Sequence, residues 1–168
     1  MTKALSYIFL IVVLFFTSAC KIYTFSGASI SPDTKTVFVG FIENNAPLVV
    51  PTLSQSLTES LKDRIVTQTG LALVRTTADI EFEGTIVDYN IKPIAIQGNE
   101  FASQNRLTIS VKINFNNNKD ETKNFEQVFT RYADYPGSTN LSQIEQELIR
   151  TINTQIIDDI FNKAFVNW

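Results

Sequence analysis

Leu53, Leu57, Leu61 and Ile65 recur at four-residue intervals with Val66 beside the last, a spacing that draws one apolar stripe down a helix. Ser54, Glu59, Lys62, Asp63 and Gln68 lie off the stripe. The pattern predicts a helix over 52–69. Pro47 and Pro51 keep the preceding segment extended until after Val50, Thr52 and Gln55 have the spacing of a capping box, and Gly70 suits the position just past a helix end. A second stripe runs through Leu141, Ile144, Leu148, Ile152, Ile156, Ile160 and Phe165, widened by Ile149, Ile157 and Phe161. It predicts a helix about 36 Å long, capped by Asn140 with Gln143 or by Ser142 with Glu145.

Strand periodicity fills the space between and before these helices. Thr36 to Ile42 is β-branched, aromatic and almost uninterruptedly apolar, as expected of a strand central in a sheet or buried on both faces. Leu71 to Val74 reads as a short strand and Thr76 to Asp79 as a turn. Ile80, Phe82, Gly84 and Ile86 then alternate with Glu81, Glu83 and Thr85, but Val87, Tyr89 and Ile91 carry the apolar side on the opposite parity. Such a phase switch needs a bulge between Gly84 and Val87, or a strand that changes layer. Pro93 to Ala102 reads as a loop. The clearest strand follows, with Leu107, Ile109, Val111, Ile113 and Phe115 facing one way and Arg106, Thr108, Ser110, Lys112 and Asn114 the other. Asn116 to Asp120 forms a hairpin turn in which asparagine suits positive φ. Phe125 to Tyr132 returns, and Tyr135-Pro136-Gly137-Ser138 breaks the strand. One apolar stripe per helix and one apolar face on the best strand predict an α+β fold. It is a two-layer α/β sandwich, with two helices on one face of a mostly antiparallel or mixed sheet of about four strands.

The first twenty residues change where this domain is expected to reside. Lys3 precedes an apolar run of 13 residues, Ala4 to Phe16, and the small residues Thr17-Ser18-Ala19 lead to Cys20. The run is short for a membrane-spanning helix and fits the apolar core of an export signal. Cys20, the single cysteine, stands where a bacterial lipoprotein signal places its acylated residue, although Thr17 replaces the usual leucine. The alternatives are an ordinary secretory signal with a leftover thiol, or an uncleaved anchor. The chain divides into a signal peptide at 1–19, a lipidated N-terminus and tether at 20–34, and a single domain at 35–168. Tyr23 and Phe25 in the tether either pack on the domain or sit in the membrane interface. Two or three acyl chains would hold the protein permanently. No Asp follows Cys20, so the expected location is the periplasmic side of the outer membrane.

Composition narrows the chemistry. The net charge of −3 becomes −4 when Lys3 is removed with the signal, so no basic field draws the chain to nucleic acid. The absence of histidine removes the Ser-His-Asp and Cys-His nucleophile systems and the commonest metal ligand. No nucleotide-binding, hydrolase or zinc-protease motif is present. No catalytic residue, metal ligand or cofactor is expected. The close acidic pairs, Asp158-Asp159 and Glu81/Glu83, read as solvated surface, because adjacent carboxylates on a helix diverge by about 100°. Arg106 and Lys112 share the wet face of one strand, with Lys92, Lys119, Lys123 and Arg131 on or near neighbouring elements. They form either a discontinuous site for a phosphorylated glycolipid or an ordinary solvated face.

Two stretches carry a family likeness. One is Tyr23-Thr24-Phe25-Ser26-Gly27-Ala28-Ser29-Ile30. The more specific is Asn44-Asn45-Ala46-Pro47-Leu48-Val49-Val50-Pro51-Thr52-Leu53-Ser54-Gln55, running into Leu57-Thr58-Glu59-Ser60-Leu61-Lys62-Asp63. Gly84 and the Arg106-Leu107-Thr108-Ile109 strand start fit less specifically. Over essentially the whole mature chain the sequence resembles the LptE family of lipopolysaccharide-assembly lipoproteins, in the form found in Bacteroidetes. The resemblance implies a non-catalytic outer-membrane lipoprotein that plugs a large β-barrel, LptD, and helps it assemble and deliver lipopolysaccharide to the outer leaflet. No lipopolysaccharide-contacting residue of the family maps onto a motif here. The other reading is a free-standing periplasmic lipoprotein that binds a soluble or cell-wall ligand, or a hydrolase without a recognised motif.

Overall fold

The computed structural model describes residues 30–94 and 103–166. The expected signal, Cys20, and Tyr23 and Phe25 of the tether lie outside the described residues. The elements in order are β1 (Thr36–Val39), β2 (Glu43–Asn44), α1 (Pro51–Thr69), β3 (Ala72–Leu73), β4 (Ile80–Ile94), β5 (Gln104–Asn117), β6 (Phe125–Pro136) and α2 (Leu141–Phe165). The fold is α+β, two helices packed with a mixed sheet, as the periodicity predicts. Among the described residues the sheet has six strands rather than about four, in the order β3-β1-β4-β5-β6, with β2 alongside β4 above β1. β1 runs parallel to β3 and β4, and β4, β5 and β6 are successively antiparallel. The strand that the periodicity did not name is β2, two residues long; β3, also of two residues, falls within the predicted Leu71–Val74 strand.

The first predicted strand is interrupted at 40–42 and resumes as β2. The gap is bridged from the helix above it: the Ile42 N–H donates to Thr58 Oγ1 at 3.0 Å, and that hydroxyl donates to the Ser54 carbonyl at 2.7 Å. Ser54, placed off the apolar stripe by its spacing, is therefore buried along with Thr58, whereas Val66 is 41% exposed. Leu53, Leu57, Leu61 and Ile65 are fully buried. α1 starts without the expected capping box. Val50 is its N-cap with no side-chain hydrogen bond, and Pro51 occupies the first turn, where its missing N–H costs nothing. Gly70 ends the helix at φ 70°, donating its N–H to the Val66 carbonyl.

The phase switch in β4 is a bulge. Ile86 pairs with Val111 and Asp88 with Ser110, leaving Val87 as the extra residue. Ile80, Phe82 and Ile86 before the bulge and Tyr89 after it are thereby all buried on one face, the bulge having absorbed the change of parity. At Gly84, a Cβ would lie 2.8 Å from Ile113 Cδ1 and 3.1 Å from Ile42 Cγ1, so glycine permits the close approach of the gap segment and β5. β4 runs through Pro93 to Ile94, where a loop was expected, and β6 continues through Tyr135 to Pro136. The turn between β5 and β6 contains no residue at positive φ. Its asparagines act through their side chains instead: Asn117 Oδ1 accepts from the N–H groups of Lys119 and Asp120, and Asn124 Oδ1 accepts from Asn117 N–H.

α2 begins at Asn140, whose Oδ1 accepts from Ser142 N–H at 3.1 Å. Leu107, Ile109, Val111, Ile113 and Phe115 of β5 form the floor beneath it, each 0–1% exposed. α2 packs on α1, β5 and β6, while α1 packs on β1, β2 and β3, so the two helices lie side by side on one face of the sheet. Phe115 lies 4.9 Å from Phe82, 5.0 Å from Phe125 and 6.3 Å from Phe165 between ring centroids. The adjacent Asp158 and Asp159 diverge as their helix geometry requires. Asp158 pairs with Arg64 of α1 at 2.8 Å and Asp159 takes both nitrogens of Arg131 on β6 at 2.6 and 2.7 Å, so α2 is clamped on two sides. Tyr89 in β4 donates its hydroxyl to Glu145 of α2 at 2.7 Å. Burial, and then the hydrogen bond to Glu145, push its phenol well above the ordinary range.

Candidate functional site

The helices leave the other face of the sheet uncovered, and of the sequence-nominated cations Arg106, Lys112 and Lys92 stand there. Because direct partners across antiparallel strands share a face, that face carries rows such as Glu83, Asn114 and Glu126, or Thr85, Lys112 and Val128, or Lys92, Arg106 and Asp134. Arg106 and Lys112 are both present on it, but six residues apart on one strand, roughly 20 Å, so they do not converge on a shared ligand.

Each is engaged by a carboxylate of β6. Arg106 donates Nε and a terminal nitrogen to Asp134 at 2.7 and 2.9 Å, and its guanidinium lies 3.6 Å from the centroid of the Tyr132 ring. The paired hydrogen bonds hold the Asp134 carboxyl below its ordinary range and raise the guanidinium further. Lys112 reaches Glu126 at 3.3 Å. Between them Ser110 and Thr130 share a hydrogen bond of 2.8 Å. Of the other nominated cations, Lys119 pairs with Asp79 and Lys123 with Asp120 at the lower end of the sheet. Arg131 is directed to the helix side by its register opposite Ile109. Lys92 lies exposed in the row of Arg106. The result is a polar surface whose charges are largely neutralised in place.

A trough of about 540 Å³ runs along the same face between Phe38 and Phe41 on one side and Glu83, Lys112, Asn114 and Glu126 on the other. Phe41 is 62% exposed. Among the described residues no group of three or more His, Cys, Asp or Glu side chains is placed to hold a metal, and no helix is long and apolar enough to cross a membrane. The face combines hydrogen-bonding groups and ion pairs with the exposed apolar side chains of Phe41, Val128 and Tyr132.

The sequence reading missed Asp79, which holds the start of β1. Its Oδ2 accepts from the backbone N–H groups of Lys35 and Thr36 and from the Thr36 hydroxyl, at 2.9 to 3.0 Å. The Lys35 N–H, then the Thr36 hydroxyl and N–H, hold its carboxyl far below the usual range. A turn aspartate just before a strand was the available signal; its partner 43 residues earlier was not. Asp79→Asn should lower Tm near neutral pH. A depressed carboxyl contributes stability that is complete above the unfolded pKa and lost as pH falls through the folded one. The Tm gap between wild type and variant should therefore narrow below about pH 4. A gap independent of pH in thermal melts would show that the charge is immaterial.

The sequence model for LptE, lipopolysaccharide-assembly, matches residues 34–164. No curated protein matches the sequence. Among solved structures, a neuraminyllactose-binding hemagglutinin homolog from Helicobacter pylori shares 10% identity over 78% of this chain and 86% of that one, with a TM-score of 0.52. It shares the fold alone. A minor lipoprotein from Acinetobacter baumannii is 15% identical over 77% of this chain and 91% of its own, with a TM-score of 0.49.

Proposed function

This chain belongs to the LptE lipopolysaccharide-assembly family, and on that premise we propose that it is a non-catalytic lipoprotein that plugs an LptD-like β-barrel, helping it assemble and pass lipopolysaccharide to the outer leaflet. The observation that carries the reading is the uncovered sheet face. The lumen of an outer-membrane barrel is lined with polar side chains while its apolar band faces lipid. A plug therefore needs a rigid polar exterior without a strong field of one sign, and the cross-strand pairs Arg106–Asp134 and Lys112–Glu126 supply that. In this reading Cys20 carries the acyl chains after removal of 1–19, residues 20–34 form the tether, and the domain works on the periplasmic side of the outer membrane. Arg106 and Lys112 serve the face as paired charges, and lipopolysaccharide is handled by the barrel complex as a whole.

Depletion of the protein should lower the amount of correctly assembled LptD-like barrel and raise sensitivity to large hydrophobic antibiotics. A Cys20→Ala chain should restore more barrel than a chain whose core is broken, because lumen contacts survive loss of the lipid better than loss of the fold. Normal barrel levels and an intact permeability barrier after depletion would overturn the proposal and favour a free-standing periplasmic lipoprotein with a ligand of its own.

A further inference from the structure

Phe41 stands on the wrong side of its own alternation. Val37 and Val39 of β1 are buried, so a strand that kept its period of two would bury residue 41 next. The chain instead breaks at 40–42, buries Ile42 and leaves Phe41 62% exposed. Both flanks of the break are fixed. Gly40 N–H donates to the Phe82 carbonyl at 2.8 Å and Ile42 N–H to Thr58 Oγ1 at 3.0 Å, so the ring is held out by anchored backbone. Gly84, whose missing Cβ lets Ile42 approach, belongs to the same device. A large aromatic side chain turned to solvent from a rigid base has the character of an anchor at a protein interface.

What the ring borders fixes the chemistry of its partner. With the half-buried Phe38 it walls the trough of about 540 Å³, whose floor includes the bare backbone of Gly40 and Gly84. Register places Glu43 beside Thr85, two residues or roughly 7 Å along β4 from Glu83. Elsewhere on this face Arg106 and Lys112 are matched by Asp134 and Glu126. Among the described residues no ion pair includes Glu43 or Glu83. The Arg106 site shows what is missing. There a guanidinium lies 3.6 Å from the centroid of the Tyr132 ring and is held by the Asp134 carboxylate. In the trough the ring and the carboxylates are in place without a guanidinium. Arginine satisfies both, because it stacks on aromatic faces and its fork of donors matches carboxylates. A metal ion fits poorly, since phenyl walls offer it no ligand and no third ligating side chain joins the two carboxylates among the described residues. An apolar segment would bury Glu43 and Glu83 without a partner. We propose that the trough seats an arginine from a lumen-facing segment of the barrel partner, its guanidinium over Phe41 and between Glu43 and Glu83. This contact rests on the barrel reading, and a single copy of the chain makes it.

If one barrel takes one plug, two versions of the chain compete for it. Wild type and a variant, both full length and separately tagged, are co-expressed at equal levels in the native cells. Their ratio is then measured in the barrel purified from detergent-solubilised outer membranes. Glu43→Gln/Glu83→Gln and Phe41→Ala should each be under-represented by about threefold. Glu43→Lys/Glu83→Lys should fall by at least about tenfold, because like charges then meet. Asp63→Lys/Glu147→Lys makes the same charge change on the helices and should match wild type. All these side chains are exposed, so circular dichroism should be unchanged throughout. A photoreactive p-benzoylphenylalanine in place of Phe41 should crosslink to the barrel. Changing an arginine of the captured barrel peptide to glutamate should return Glu43→Lys/Glu83→Lys to parity. Parity of the trough variants in a barrel that does hold the chain would overturn this contact and leave the barrel reading standing. Crosslinking to lipid alone, rescue by no arginine, or an equal deficit in Asp63→Lys/Glu147→Lys would do the same. A barrel that carries no wild-type chain would overturn both.

Discussion

Phe115→Ala should destabilise the domain by about 3–5 kcal/mol. Phe115 is 1% exposed and meets the rings of Phe82, Phe125 and Phe165. Its removal subtracts the transfer free energy of a buried ring, its edge-to-face and stacked contacts, and leaves a cavity. Collapse into that cavity is hindered, because the ring sits in β5, the strand paired on both sides by β4 and β6. Against a typical total stability of about 5–15 kcal/mol, the loss would put the variant close to its unfolding threshold at growth temperature. A urea melt measures it, and a cost below about 1 kcal/mol would mean that the aromatic cluster is loosely packed.

Ile152→Ala is the second large expectation, at about 2–5 kcal/mol. Ile152 is fully buried near the middle of α2, beside Asn153, whose amide reaches Ser56 of α1 at 3.4 Å. The polar face of α2 mixes Gln143, Glu147, Arg150, Asp158 and Asp159, without the basic surplus of a helix that lies on a membrane surface. Its apolar stripe is consumed by the sheet and by α1. A change under roughly half a kcal/mol in the same denaturant series would argue that α2 docks elsewhere.

Much of the architecture was legible because burial leaves a period in the sequence. The stripes of α1 and α2 and the alternation of β5 name residues that are mostly buried, the exceptions being the exposed Val66 and the half-buried Leu141, Ile144 and Leu148, and the parity change at Val87 announced its bulge. What left no period was not legible. β2 is defined by backbone pairing with β4, and its side chains are half-buried at most, so no alternation marks it. The capping box failed because Pro51, with φ already helical and no N–H to satisfy, moved the start of α1 ahead of Thr52. The asparagine turn was located correctly but explained wrongly, since side-chain acceptors did the work assigned to backbone conformation. At the candidate face, Arg106 and Lys112 were identified and their common side was right. Their neutralisation was not legible, because Asp134 and Glu126 lie 28 and 14 residues away and become neighbours only through the β5–β6 register.

The hydroxyl of Thr58 gives α1 an index mark. Leu53, Leu57 and Leu61 are identical side chains one turn apart, so the stripe alone would fit its floor nearly as well after a slide of about 5.4 Å along the helix axis. Such a slide exchanges one leucine for the next and loses little apolar contact. A slide that brings Lys62 to that height loses the bond from Ile42 N–H to Thr58, because an ammonium accepts no hydrogen bond, whereas the opposite slide would bring the Ser54 hydroxyl there. The interruption between β1 and β2 thus works as a one-way stop, a single polar contact that disfavours one of the nearly equivalent apolar seatings of the helix.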